Sequence, residues 1–262
     1  MRIKANGIQM NYELSGKKGA AAVVLGHSLA SSLVMWNPQM DALNPNFQVL
    51  RYDMRGHGHS EVTPDPYTME LLGKDVIGLL DALHMDQVHF VGLSIGGMIG
   101  QGLALNYPHR LKSLALCDTA SILPQEAQPI WQERIHNARS KGVEAQVEET
   151  MERWFTPSFR QQGSPLLEII RKQILETPVM GYIGCAEAIR KLNYLNRLSQ
   201  INMPTLILVG EDDPGTPVTA SEAIHERIPH SKLVVLHAAR HLSNVEQAKP
   251  FNAALLEFLR SL

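Results

Sequence analysis

Residues 88–107 read Val-His-Phe-Val-Gly-Leu-Ser-Ile-Gly-Gly-Met-Ile-Gly-Gln-Gly-Leu-Ala-Leu-Asn-Tyr. An apolar run, Val88 to Val91, enters Gly92-Leu93-Ser94-Ile95-Gly96. A small-residue segment of helical character follows and stops before Pro108. This is the strand–turn–helix setting of a G-x-S-x-G elbow, in which a serine sits on a sharp, strained turn at the top of a sheet. A Cβ at position 92 or 96 would crowd the strand or the helix, which is why glycine flanks the serine. The turn lifts Ser94 Oγ above the sheet and aims the positive end of the following helix at charge formed there. A competing pattern, the dinucleotide fingerprint G-x-G-x-x-G with Asp118 as its ribose-binding acid, fails at one position. Its second glycine, where backbone approaches pyrophosphate, is Ser94, and no strand–helix unit opens the chain. Ser94 is therefore read as a nucleophile.

The rest of the chain repeats the same alternation. Ile8–Leu14 alternates apolar and polar, as a half-exposed edge strand does. Ala22–Leu25, Val49–Tyr52, Val88–Val91 and Leu114–Cys117 read as buried parallel strands, with a helix over Met69–Leu83. Thr205–Val209 and Leu233–Leu236 supply two more strands, and Phe251–Leu259 closes with an amphipathic helix. Strands alternating with helices imply an α/β fold, a mostly parallel central sheet flanked by helices. The rhythm breaks over residues 123–198. That stretch holds helical patterns at Trp131–Lys141, Ala145–Trp154, Leu166–Glu176 and Ala186–Leu195, separated by Pro157, Gly163-Ser164-Pro165 and Pro178. It is expected to form a helical cap over the carboxyl ends of the strands, where such sheets bind ligands. Residues 1–122 and 199–262 then form the core domain.

A chain of 262 residues can bury one large core. Its net charge of −2 argues against a nucleic-acid partner or a membrane surface, since both need a basic face. No apolar run is long enough to span a membrane, and the N-terminus lacks the apolar stretch of a signal peptide. Cys117 and Cys185 are too few for a disulfide framework and read as buried free thiols. A cytoplasmic protein is expected.

A serine hydroxyl needs a base, and the base needs an acid to orient it. In the elbow fold these follow in the order serine, acid, histidine. The acid should follow the Thr205–Val209 strand, in Glu211-Asp212-Asp213-Pro214-Gly215-Thr216-Pro217. Asp213 lies deep enough to turn back over the sheet, whereas Glu211 and Asp212 are expected to face solvent or bond to loop backbone. The base should follow the last strand. His237 continues that strand and reads as a packed or edge histidine. His241 stands in the loop before Ser243-Asn244-Val245-Glu246, a capping-box pattern that would start the final helix. Backbone N–H groups of Ile95, directly after the nucleophile, and Leu29, in the loop after Ala22–Leu25, are the expected oxyanion donors. His27 is expected to brace that loop. His57-Gly58-His59 reads as loop, and the histidines show no paired metal spacing. Neither a metal nor a cofactor is implied.

With these residues in place the chain resembles the α/β-hydrolase superfamily along essentially its whole length. The markers are His27-Ser28-Leu29, Tyr52-Asp53-Met54-Arg55-Gly56-His57-Gly58-His59-Ser60, the elbow, Gly210-x-x-Asp213 with Pro217, and His241. Within it the chain is most similar to 3-oxoadipate enol-lactonases. That likeness rests on Ser28-Leu29 with Met35-Trp36, Leu116-Cys117-Asp118-Thr119-Ala120, Arg153-Trp154-Phe155-Thr156, and His241-Leu242-Ser243-Asn244-Val245-Glu246. His27 departs from the lactonase pattern, which carries Asn there. The resemblance implies a cap that receives a small lactone bearing one carboxylate. A buried anion needs a cation or several donors, so a cap cation should face Ser94. Arg134 aligns with that part of the family's cap, and otherwise is a solvated surface arginine. Trp131 and Trp154 either wall the pocket or pack the cap onto the core, with packing favoured for Trp154. The implied partner is a small ester or lactone substrate. A general carboxylesterase, a cofactor-free perhydrolase or haloperoxidase, and a hydrolase-fold small-ligand receptor share these motifs and stay open.

Overall fold

The computed structural model describes residues 1–64 and 66–262. Strand β1 (Arg2–Ala5) turns through Asn6-Gly7 into β2 (Ile8–Gly16). Both turn residues have positive φ, 43° and 83°, as the tight hairpin turn that favours Asn-Gly requires. This corrects the expectation of an edge strand at Ile8–Leu14. β1 forms the edge and β2 lies inside it, paired antiparallel to both β1 and β4. The signal for the extra strand was Asn6-Gly7 itself.

From there the order along the chain is β3 (Ala22–Gly26), α1 (Asn37–Leu43), β4 (Gln48–Tyr52), α2 (Met69–Ala82), β5 (Val88–Leu93), α3 (Ile95–Asn106) and β6 (Leu111–Cys117). Helices α4 (Gln128–Lys141), α5 (Val147–Trp154), α6 (Pro157–Gln161), α7 (Pro165–Leu175) and α8 (Val179–Arg190) come next, and add no strand to the sheet. The chain returns through β7 (Thr205–Gly210), α9 (Val218–His225), β8 (Lys232–Leu236), α10 (Ser243–Glu246) and α11 (Ala248–Arg260). The eight strands form one sheet in the order β1-β2-β4-β3-β5-β6-β7-β8, parallel from β4 to β8. Every residue of β5 and β7 is buried, which is why both read as mostly apolar runs rather than alternating strands. Helices α2 and α3 pack together against the sheet, and α1 packs on α11, which lies on β7 and β8. Among the described residues no helix is long and apolar enough to cross a membrane.

Three helical expectations need correction. The pattern at Ala186–Leu195 belongs to α8, which starts seven residues earlier, directly after Pro178, and ends at Arg190. Gly181 and Gly184 hid its first turns. Both are packing glycines: a Cβ at 181 would meet the Gly56 carbonyl oxygen at 1.8 Å, and one at 184 the Tyr67 ring at 2.7 Å. Past Arg190 the chain leaves the helix because Leu192 and Asn193 pair with the backbone at Leu123 and Ile122. The pattern at Ala145–Trp154 opens as a 3-10 turn over Val143–Gln146 before α5 begins. Ser243-Asn244-Val245-Glu246 is not a capping box. No side chain caps α10, the final helix starts only at Ala248, and both box residues bond elsewhere.

Close backbone packing fixes where β5 turns into α3. A Cβ at Gly92 would lie 2.2 Å from the Gly96 carbonyl oxygen, and one at Gly96 would lie 2.3 Å from the Gly26 carbonyl oxygen. Backbone cannot give way as a flexible side chain can. Gly96→Ala is therefore expected to cost about 2–3 kcal/mol, the upper end for overpacking. The check is the urea midpoint, and a variant that unfolds with wild type would contradict this packing.

Candidate active site

Ser94 sits at φ 57° and ψ −119°, a backbone conformation that L-residues rarely adopt. Three hydrogen bonds hold it there. Its N–H donates to the Cys117 carbonyl at 2.9 Å, and its own carbonyl accepts from Thr119 Oγ1 at 2.7 Å and from the Met98 N–H at 3.1 Å. Sequence pattern alone gives Thr119 no role at the elbow, because nothing local ties it to a serine 25 residues earlier. Ile95 opens α3, and Leu29 lies in the loop after β3. Among the described hydrogen bonds neither backbone N–H has a partner. Beside Leu29, Ala30 is held at φ 56°, its N–H donating to His57 Nε2 at 3.1 Å.

His27 and His57 brace this loop. His27 Nδ1–H donates to the Ser28 carbonyl at 2.7 Å, and its Nε2 accepts from the Met54 N–H at 2.9 Å. Burial pushes the His27 imidazole down to about 4, against the Ser28 bond. Burial and the neighbouring His27 push His57 down to about 3. Both stay neutral at ordinary pH, which lets each Nε2 accept a backbone bond.

The acid loop and the base loop meet at one short bond. His241 Nδ1–H donates to Asp213 Oδ2 at 2.8 Å. The same oxygen accepts from Thr216 Oγ1 at 2.6 Å, while Oδ1 accepts from the Gly215 and Thr216 N–H groups at 2.8 and 3.1 Å. Burial opposes ionisation of Asp213, but the charge of His241 and these hydrogen bonds carry its carboxyl below the ordinary value. With Nδ1 committed to the carboxylate, His241 keeps Nε2 as its basic nitrogen. His241 and Ser94 line the same cavity, of about 450 Å³, and among the described hydrogen bonds none joins them. Catalytic contacts are often long before a substrate is bound. Glu211 and Asp212 are exposed, and Glu211 pairs at the surface with His237 at 3.0 Å.

Residues from the helical segment complete the cavity. Trp131, Arg134 and Trp154 all line it together with Leu29. Arg134 is half-buried, with its guanidinium 5.0 Å from the Trp131 ring centroid. Among the described residues it has no carboxylate partner, and its buried Nε bonds to nothing. Trp154 is buried and also lends its carbonyl to the Leu242 N–H at 3.3 Å, so it both walls the cavity and packs beside His241. Arg153, the residue before Trp154 on α5, also lines the cavity, paired with Glu149 and donating to Thr150 Oγ1 at 2.9 Å. Burial and the nearby Arg134 lower its guanidinium. Its place three residues after Thr150, one turn along the helix, was the signal that could have marked it.

Two further acids hold the loops in place. Glu246 Oε1 accepts from the Thr156 N–H at 3.0 Å and from its hydroxyl, and Oε2 accepts from the Arg240 N–H at 2.9 Å. One carboxylate thus ties the helical segment to the residue before His241. Asp118, fully buried, accepts from the Gly210 N–H at 2.8 Å and from Ser243 Oγ at 2.5 Å. Burial, and then the charge of Asp213, drive the Asp118 carboxyl well up.

Comparison with known proteins follows the same lines. The family model for the alpha/beta hydrolase fold matches residues 21–248. The chain is 36% identical over 253 residues to 3-oxoadipate enol-lactonase 2 of Acinetobacter baylyi, covering 97% of this chain and 94% of that protein. The crystal structure of the enol-lactonase from Burkholderia xenovorans superposes with a TM-score of 0.96 at 35% identity, over 99% of this chain and 100% of that one. A thermophilic esterase from Thermogutta terrifontis, solved with malate bound, gives 0.94 at 31% identity over 100% and 98%.

Two outcomes test the buried acids. Glu246→Ala is expected to cost about 3 kcal/mol, since it strands buried donors that a charged acceptor had satisfied; a melting temperature equal to wild type would contradict the tie. Burial raises the Asp118 pKa in the folded chain, so above the ordinary carboxylate range this group favours folding less as pH rises, by at most about 1.4 kcal/mol per unit. Urea unfolding of Asp118→Asn followed from pH 5 upward should show a smaller loss of stability with pH than wild type, and an unchanged pH dependence would count against a raised Asp118 pKa.

Proposed function

Because the chain belongs to the alpha/beta hydrolase family, we propose that it hydrolyses small carboxylic esters and lactones through Ser94, His241 and Asp213, with enol-lactones of the 3-oxoadipate type as its preferred substrates. The observation that carries this reading is the 2.8 Å bond from His241 to a buried, multiply bonded Asp213 in the cavity that Ser94 lines. The enol-lactonase relatives support the substrate class. So does Arg134, a cation with no carboxylate partner among the described residues, facing the same space. The malate in the related esterase is a small dicarboxylate of the size such a cation would hold. Residues 123–198 act as the cap that closes this space. The two buried free thiols, Cys117 and Cys185, suit a reducing compartment such as the cytoplasm.

In this scheme His241 Nε2 removes the Ser94 hydroxyl proton as Oγ attacks the carbonyl carbon. Asp213 holds the imidazole in the required tautomer and offsets the imidazolium charge. The Leu29 and Ile95 N–H groups bind the oxyanion, each donor contributing about 3–4 kcal/mol at the transition state. The tetrahedral intermediate collapses by breaking the ester C–O bond. The leaving oxygen, alkoxide or enolate, takes the proton from His241, which is neutral again for the second step; the enolate, as the better leaving group, makes the bond easier to break. A lactone's leaving group stays attached to the acyl chain, so ring opening gives a linear acyl-enzyme. Water, deprotonated by His241, then attacks the acyl carbon and returns Ser94 to its hydroxyl form.

Ser94→Ala is expected to abolish turnover of p-nitrophenyl acetate and of the enol-lactone while the fold survives, and persisting activity would sink the scheme. Arg134→Ala separates a lactonase from a general esterase. Losing a charged hydrogen-bond partner, about 1.5–3 kcal/mol, should cut kcat/KM for the anionic lactone roughly 10- to 100-fold and spare the neutral ester. Equal effects on both substrates would favour the general esterase.

A further inference from the structure

The cavity is polarised along its length. Ala127, Ile130, Trp131 and Arg134 all line it, at the spacing i, i+3, i+4, i+7 that puts residues on one helix face. Along the axis this stripe passes from alkyl to aromatic to cationic, over about 10 Å at the helical rise. The Arg134 end is built from polar groups. Arg153 and Thr150 of α5 line it, and Gln146, which accepts a bond from the Tyr182 hydroxyl, donates to the Arg134 carbonyl. The opposite end is apolar. There Leu123 donates its N–H to the Leu192 carbonyl, α9 packs against the 3-10 turn at Leu195–Gln200, and Ala220 and Ala223 of α9 face the cavity.

Ile122 and Ile130 also line the cavity and remain 37% and 52% exposed, among the few large apolar side chains left in water. Ala220 and Ala223 add only small side chains to the lining. A volume of about 450 Å³ falls within the range of pockets that take drug-sized ligands, ~300–1,000 Å³. A five-membered lactone with one carboxymethyl arm is shorter than the stripe and leaves the alkyl end unfilled.

From this polarity we infer that the enzyme's substrates include amphiphilic esters, with a carboxylate held at Arg134 and an apolar chain of several carbons, on the other side of the ester bond, lying between α4 and α9. The inference rests on the hydrolytic reading above and extends its substrate class. Chain carbons leave water at Ile122, Ile130 and Ala223, while the carboxylate meets a guanidinium that lacks a partner. Neutral esters of the same chain length gain only the first of these contacts.

The test is kcat/KM for two homologous series, adipate monoalkyl esters from methyl to hexyl and 4-acyloxybutanoates from acetyl to hexanoyl. These place the growing chain on the alcohol and the acyl side respectively. Burial of each methylene should raise kcat/KM about two- to fourfold, so one series should climb about tenfold or more from its shortest to its longest member. Ala223→Phe, which fills the apolar end, should remove that climb. Ile130→Ser, at a half-exposed position that carries little folding load, should flatten it. Flat or falling values in both series would overturn the inference while leaving the hydrolase reading intact. No turnover of any member, or of p-nitrophenyl acetate, would overturn both.

Discussion

Three backbone segments meet with no room for a side chain between them, and the active-site geometry depends on that contact. Gly92 lies near the end of β5, Gly96 lies in the first turn of α3, and the Gly26 carbonyl of β3 lies against Gly96. The first contact forces the tight reversal that leaves Ser94 at positive φ. The second fixes the loop after β3 against the N-terminus of α3. Ser94 and the Leu29 and Ile95 N–H groups are thereby set in one frame before any side chain is considered. The strain at Ser94 is held by bonds from β6 and from Thr119, and the strain at Ala30 by the bond to His57.

The second organising feature is how buried charge is distributed. Asp213 is surrounded by donors and stays ionised, whereas Asp118, one strand away, is pushed toward its protonated form by burial and by Asp213 itself. Two carboxyls close together cannot both be charged at low cost, and the donors decide which one is. Glu246 anchors the loop of His241 to Thr156, so the position of the base and the seating of the helical segment are linked through one carboxylate. Arg153 has Glu149 to neutralise it, while Arg134 pairs with no carboxylate among the described residues.

What could be read from the sequence was what local pattern encodes. The buried strands, the elbow at Ser94 and the loops of Asp213 and His241 follow from apolar runs and from the residues that end them. The structure brings Ser94, Leu29, Trp131, Arg134, Trp154 and His241 to one cavity. Misreadings arose where a local signal served a distant partner. Gly181 and Gly184 looked unlike helix because they make room for Gly56 and Tyr67. Ser243 and Glu246 had capping-box spacing, yet they bond to Asp118 and Thr156 instead. Thr119, Thr216 and Arg153 act through contacts that only the folded chain creates. Asn6-Gly7 carries a local hairpin signal for the first strand pair.

The proposed hydrolysis turns on acylation of Ser94 with His241 as its base. Intact-protein mass spectrometry after exposure to a fluorophosphonate ester, followed by peptide mapping, tests it most directly. The expected result is a single adduct on the peptide carrying Ser94, absent in Ser94→Ala and formed far more slowly in His241→Ala. An unlabelled protein that still turns over esters, or an adduct on another residue, would contradict it.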